Sequence, residues 1–149
     1  MAIARGAGTE IIRSVYLEDC NSTDRIIIVG EQHHIYTVLS ITIFAGTINA
    51  AGDYTRVYLL GYDSVGGTSA QNIFLFQQDM QHLQTYVWND KFSFNGFEPT
   101  NFTGPMDDVT KQNAIADQGS SVAQKLYVHC ENASDGFDVT CTYIDQNNS

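Results

Sequence analysis

Apolar and polar residues alternate with a period of two along most of this chain, the signature of half-buried β-strands. Thr9 to Leu17 splits into Ile12, Ser14 and Tyr16 on one face and Ile11, Arg13, Val15 and Leu17 on the other. Arg25 to Val29 is a short apolar run closed by Gly30. Ile35 to Ala45 is the longest candidate. Its odd positions are Ile35, Thr37, Leu39, Ile41 and Ile43, and its even positions are Tyr36, Val38, Ser40, Thr42 and Phe44. Neither face is truly polar, which predicts a central strand covered on both sides, the second cover being a neighbouring subunit. Tyr54 to Tyr62, Asn72 to Gln77, Thr85 to Trp88 and Lys91 to Phe94 complete the middle of the chain. The turn-rich Asp63 to Ser69 separates the first two of these, and Asn89-Asp90 joins the last two.

After Gly96 the alternation lapses. Residues 95 to 122 hold both prolines and read as one long loop, of the kind that carries function or hidden structure. Asp107 is placed to N-cap a short helix over Asp108 to Ala116. Alternation returns near the C-terminus around Asp135-Gly136. That dipeptide favours a two-residue type I′ hairpin, which would pair Ser134 with Phe137, Cys130 with Cys141 and Val128 with Tyr143. One face then reads Leu126, Val128, Cys130, Val139, Cys141, Tyr143, and the other His129, Glu131, Asp138, Thr140, Thr142. Many short strands without a strong helix predict an all-β fold, an antiparallel β-sandwich or jelly roll. The expected organisation is an extended N-terminal arm over residues 1 to 9 and a single β-sandwich domain over residues 10 to 149.

Composition sharpens this picture. Hydrophobic residues make up 43% of the 149 residues and charged ones only 16%, so part of the surface is expected to be amide and hydroxyl or to face a partner. The net charge is -10, with 17 acids against 7 bases. That opposes direct nucleic-acid binding, which needs Lys and Arg against phosphate, and docking on anionic lipid. All four arginines, Arg5, Arg13, Arg25 and Arg56, lie in the first part of the chain, and the opening stretch around Arg5 reads either as an arm for an acidic neighbour or as a frayed end. Residues 1 to 9 lack the continuous apolar run of a secretory leader, and no apolar run approaches the ~18–20 residues of a membrane span. Three cysteines without zinc spacing suggest a reducing compartment. The N-x-S/T triplets at Asn21, Asn101, Asn132 and Asn147 are not expected to be glycosylated in that setting.

Candidate chemistry is sparse. Gly61 to Thr68 has phosphate-loop spacing, but Gly67 stands where the lysine would be and no helix is expected after it. Gly6-Ala-Gly8 lacks the third glycine of a dinucleotide site. His33 and His34 are adjacent, so on a strand they would point to opposite faces and not share one metal ion. Asp107-Asp108 lacks a calcium loop around it and suits a helix N-terminus. No paired carboxylates, serine elbow or activated cysteine stand out, so neither enzymatic activity nor a cofactor is expected. If Cys130 and Cys141 face each other they occupy a hydrogen-bonded pair, where packing is favoured over a disulfide. The aromatic cluster Tyr86, Trp88, Phe92, Phe94, Phe97 and Phe102 fits a core, a subunit interface or a sugar-stacking platform.

Three stretches carry a resemblance: Met1 to Thr9, Gly30 to Ser40 running into the long aliphatic strand, and Phe137 to Asp145. In these the chain resembles small β-sandwich virion structural proteins of marine and cyanobacterial tailed bacteriophages. None of the stretches is a defined functional motif. The resemblance implies a non-enzymatic subunit present in many copies, most simply a capsid decoration or cement protein, with a neck or tail component as the variant. It implies a homo-oligomer in contact with the major capsid protein or other virion proteins, and localisation to the virion. A carbohydrate- or receptor-binding module is the competing reading. The residues expected at an interface are Arg5, Arg13, Tyr36, Trp88, Phe97 and Phe102.

Overall fold

A computed structural model describes residues 8–63, 69–99, 107–117 and 121–148. Among these residues, eleven strands and one helix follow in the order β1 (Thr9–Cys20), β2 (Arg25–Val29), β3 (His34–Thr47), β4 (Tyr54–Asp63), β5 (Ser69–Asp79), β6 (Thr85–Trp88), β7 (Phe92–Asn95), β8 (Phe97–Pro99), α1 (Val109–Asp117), β9 (Ser121–Ala123), β10 (Lys125–Cys130) and β11 (Gly136–Asn147). One sheet has the order β1-β11-β3-β6, with β7 also pairing β3, and the facing sheet has the order β2-β10-β4-β5. All pairings are antiparallel. The chain crosses between the sheets after β1, β2, β3, β5 and β10, and once more between β7 and β10 by way of the two-stranded β8-β9 sheet, the winding of a jelly roll. The fold is thus the all-β sandwich that the alternation predicts.

Inward side chains from both sheets form one core. Tyr36, Val38, Ile41, Ile43 and Ala45 of β3 meet Phe137, Val139, Cys141 and Tyr143 of β11, and Val57, Leu59, Leu126, Val128 and Cys130 come from the facing sheet. Burying each large apolar side chain contributes about 1.5–3 kcal/mol. The inward set on β3 switches parity. In the register with β11, Thr142 pairs with Ser40 but Tyr143 pairs with Val38, leaving Leu39 as a β-bulge. One extra residue exchanges the two faces, so even positions are inward before it and odd ones after it. This explains why neither face of that segment reads as polar. A second bulge, at Ile27, lets both Ile27 and Ile28 reach the core.

The C-terminal hairpin is not formed. β10 lies in one sheet between β2 and β4, and β11 lies in the other between β1 and β3. Cys130 therefore sits opposite Thr55, and Cys141 opposite Ile41 and Val15. The alternation gives the correct inward face, for Leu126, Val128, Cys130, Val139, Cys141 and Tyr143 are all buried, but it reports a face and not a partner. Among the described residues, positive φ occurs at Asp19, His33, Leu83, Gly8 and Gly52, so Asp135-Gly136 is not a type I′ turn. It is a corner between the sheets. Asp135, 4% exposed, accepts the N–H groups of Asn49 and Asn132, each at 2.9 Å. Gly136 passes so close to Asp19 and Thr47 that a Cβ would meet them at 3.1 and 3.3 Å.

The segment that reads as one loop holds β8, α1 and β9, with β8 paired to β9. The helix cap is one residue later than expected: Asp108 Oδ1 accepts the Lys111 N–H at 2.8 Å, while Asp107 pairs with Lys111 Nζ at 2.7 Å. Two glycines that read as strand stops are sites of close backbone approach. A Cβ on Gly96 would stand 2.0 Å from the Glu31 carbonyl oxygen, and one on Gly30 would stand 2.1 Å from that of Gly96. Gly30 N–H donates to Gln124 O at 2.8 Å, Gln124 N–H to Gly96 O at 2.8 Å, and Gly96 N–H to His34 O at 2.7 Å, joining three segments backbone to backbone.

The cysteines Cys20, Cys130 and Cys141 are free and buried. Burial pushes their thiols up, Cys20 to about 11 and Cys130 and Cys141 to about 12. The thiolate is the reactive form, so at pH 8 all three are expected to resist a thiol-specific chromogenic reagent in the native protein and to react together in denaturant. Rapid labelling of any one under native conditions would contradict its burial.

Candidate assembly edges

The sandwich has open edges. Among the described residues β1 ends the first sheet, pairing only with β11, and its register runs unbroken from Thr9 to Leu17 before a bulge at Asp19 (φ 55°) turns Cys20 inward. Val15 and Leu17 lean on the core. On the other face Ile12 is 70% and Tyr16 59% exposed, while Ile11, which shares the face of Val15 and Leu17, is also exposed. A long edge strand with apolar side chains is a template for a further strand, one that most monomeric proteins blunt. At the opposite edge of this sheet β6 and β7 lie end to end along β3, pairing with Ile41–Phe44 and with Ile35–Val38. In the facing sheet β2 and β5 are the edges, and they expose Ile26, Val29, Ile73 and Phe74.

The residues expected at an interface fall in different places. Arg5 and Phe102 lie outside the described residues. Arg13 is half-exposed but committed within its own chain. Its guanidinium lies 3.4 Å from Asp145 Oδ2 and 6.0 Å from the centre of the Tyr143 ring. Asp145 is buried, and its other oxygen lies 2.6 Å from His34 Nδ1, while His34 Nε2 is 3.4 Å from Glu31. His34 thus begins β3 as part of this charged group, while His33 precedes the strand with φ 63°. Tyr36 is 2% exposed, so its ring presents nothing to a partner. Its hydroxyl accepts the Glu31 N–H at 3.0 Å, and burial, with the nearby Asp145 charge, pushes its pKa well above the ordinary tyrosine value. Trp88 is half-buried in a series of ring contacts that runs Phe76, Trp88, Phe92, Phe94, Tyr36, stacked except for the edge-on pair Trp88–Phe92, with centroids 5.3–5.8 Å apart. Phe97 is half-buried in β8. Of the predicted aromatic cluster, Tyr86, Trp88, Phe92 and Phe94 serve the core.

A second aromatic group, not singled out by the sequence, lies on the outer side of the second sheet, with Tyr58 buried beneath its neighbours and Phe74 exposed. Tyr58 stacks on Tyr127 with centroids 5.2 Å apart and meets Phe74 edge-on at 5.8 Å. The Arg56 guanidinium lies 4.8 Å from the Tyr54 ring and 4.9 Å from the Phe74 ring. Asp24 accepts the Tyr58 hydroxyl at 2.9 Å on one oxygen and sits 2.7 Å from His129 Nδ1 on the other. Burial and the bond to Asp24 push the Tyr58 phenol well above its ordinary value. The signal is present in outward parity: Tyr54, Arg56 and Tyr58 alternate with the inward Thr55, Val57 and Leu59.

Among the described residues no helix is long and apolar enough to cross a membrane. No protein-family model matches the sequence, and no curated protein is detectably similar to it. Among solved structures, the chain is similar to one from Bacillus endospore appendages, disulfide-linked pili, with a TM-score of 0.45 and 14% identity over 100% of this chain and 97% of that one. It is also similar to a chain of infectious bursal disease virus, Gx strain, with a TM-score of 0.47 and 3% identity over 99% of this chain and 35% of the viral one. This chain thus spans about a third of that viral chain. A chain of the virus-like particle of the giant freshwater prawn Macrobrachium rosenbergii extra small virus gives a TM-score of 0.35 and 6% identity over 100% of this chain and 86% of that one. Likeness this distant carries no inference about function.

Proposed function

We propose that this chain is a non-catalytic structural subunit of a virion, a decoration or cement protein that braces a shell and contacts its own copies through open sheet edges. The observation that carries this reading is β1, a 12-residue edge strand that leaves Ile12 and Tyr16 in solvent. Unpaired N–H and C=O groups along such an edge give main-chain hydrogen bonds to an added strand, and the alternate side chains give the contact its specificity. The net charge of -10 supports a place on the outside of a particle and not against packaged DNA.

Light scattering of the purified chain, alone and with phage shells, tests this. The native chain is expected to self-associate or to sediment with shells. Ile12→Lys/Tyr16→Lys, which adds charge to the edge without touching the core, is expected to abolish both while leaving the far-ultraviolet circular dichroism unchanged. A native chain that stays monomeric and leaves shells unoccupied would sink the proposal.

A further inference from the structure

We propose that the outer face of the second sheet binds a neutral, hydroxyl-rich sugar ring in the cleft formed by Asp24, Arg56, Tyr58, Asn72, Phe74 and His129. The cleft has a volume of about 160 Å³ and opens to solvent. Its residues come from the turn before β2 and from β4, β5 and β10, so the sheet itself sets their spacing. A small-ligand site needs an apolar surface and a few polar groups held in fixed directions. Phe74, 57% exposed, supplies the surface against which the C–H face of a sugar ring can lie.

The polar groups are held before any ligand arrives. Asp24 is fixed by Tyr58 at 2.9 Å and by His129 at 2.7 Å. A carboxylate has about four acceptor positions, so capacity remains for sugar hydroxyls. Arg56 donates through Nε and Nη2 to Gln77 Oε1, at 2.9 and 2.6 Å, and lies against two rings. A guanidinium has five N–H donors, so further donors remain for a ligand. Asn72 offers both a donor and an acceptor. A sugar hydroxyl both gives and receives hydrogen bonds, and this mixed set serves it.

Other ligand classes fit less well. An anionic ligand would meet Asp24 within a chain of net charge -10. Nucleic acid is opposed for the same reason. A protein partner on a stable interface needs about 800 Å² on each side, whereas the apolar part of this cleft is centred on one exposed phenyl ring.

The test uses the full chain on an array of neutral and sialylated glycans, followed by saturation-transfer NMR with the methyl glycosides of glucose, galactose, mannose and N-acetylglucosamine. Retention of neutral glycans is expected, with saturation passing to the sugar C–H protons. Phe74→Ala and Asn72→Ala are each expected to weaken binding at least about tenfold at an unchanged melting temperature, and Asp24→Asn to weaken it at least as much. Phe74 and Asn72 are exposed, so those variants keep the fold even if Asp24→Asn does not. Retention of sialylated glycans alone, no retention at all, or binding unchanged in Phe74→Ala and Asn72→Ala would overturn the inference. The scattering experiment reads no sugar, so an assembling chain that binds none defeats this inference alone, and a sugar-binding monomer defeats the assembly role alone.

Discussion

Raising the pH from 9 to 11 is expected to remove much of the stability of this protein, with the buried thiols as the cause. In the unfolded chain a thiol titrates near 9.0, and in the fold burial holds Cys20 at about 11 and Cys130 and Cys141 at about 12. The folded pKa is the higher one. Stability from these groups is therefore fully present below pH 9 and is lost as the pH rises toward the folded values, because the unfolded chain sheds protons the folded chain must keep. Keeping one thiol protonated costs about 1.4 kcal/mol for every pH step of one above its unfolded value. The three together therefore remove several kcal/mol by pH 11. A domain of this size has about 5–15 kcal/mol in all. Tyr36 and Tyr58, also raised by burial, steepen the loss at still higher pH. Urea titrations at stepped pH measure the slope. Stability that stays level between pH 9 and 11 would contradict the assignment. Replacing all three cysteines by Ala should flatten the profile while lowering stability at neutral pH.

The second large effect lies at the corner between β10 and β11. Asp135→Asn is expected to destabilise the fold by about 1–3 kcal/mol for each backbone N–H that loses its acceptor, and Asp135→Ala by more. The carboxylate holds the N–H groups of Asn49 and Asn132, one on each oxygen. An amide can replace one oxygen but turns a donor toward the other N–H. Nearby, Asp53 accepts the Ala50 N–H at 3.0 Å and the Asn132 side-chain amide at 2.8 Å. Burial raises the Asp135 pKa, and the hydrogen bond and charge of Asp53 add to it. The substitution also separates two conformations of Asp135-Gly136. In a type I′ hairpin Asn-Gly is a preferred pair, so Asp135→Asn would be neutral or stabilising there. Chemical denaturation decides the sign.

How far the sequence reads through to the fold depends on the kind of information each residue carries. Period-two alternation marks which side chains turn inward, and Leu126 to Tyr143 are legible in that sense. Strand partners are not, because the same alternation fits a hairpin within one sheet and a crossing between two. Turn propensity at Asp135-Gly136 favours the hairpin, but the buried hydrogen bonds of Asp135 and the close passage of Gly136 by Asp19 and Thr47 impose another backbone shape. The bulge at Leu39 is equally hidden, since a change of parity looks like a strand apolar on both sides. The candidate edge is only partly visible. Ile12 and Tyr16 share a predicted face, but being at a sheet edge is a property of the whole strand order. The aromatic signal is ambiguous for a related reason: density of rings does not distinguish a core ladder from an outer platform. It leaves Tyr86, Trp88, Phe92 and Phe94 open between core, interface and sugar platform, and gives no hint of Tyr58, Phe74 and Tyr127.

By itself the sequence determined a β-sandwich, the inward faces of most strands, an acidic surface and the passive packing of its thiols, because these follow from local periodicity and composition. Tertiary structure alone decided which strands pair, which edges stay open, how Asp135 and Gly136 turn the chain from one sheet to the other, and which aromatic rings meet solvent. Those outcomes depend on contacts between residues far apart along the chain, and a period of two carries no information about them.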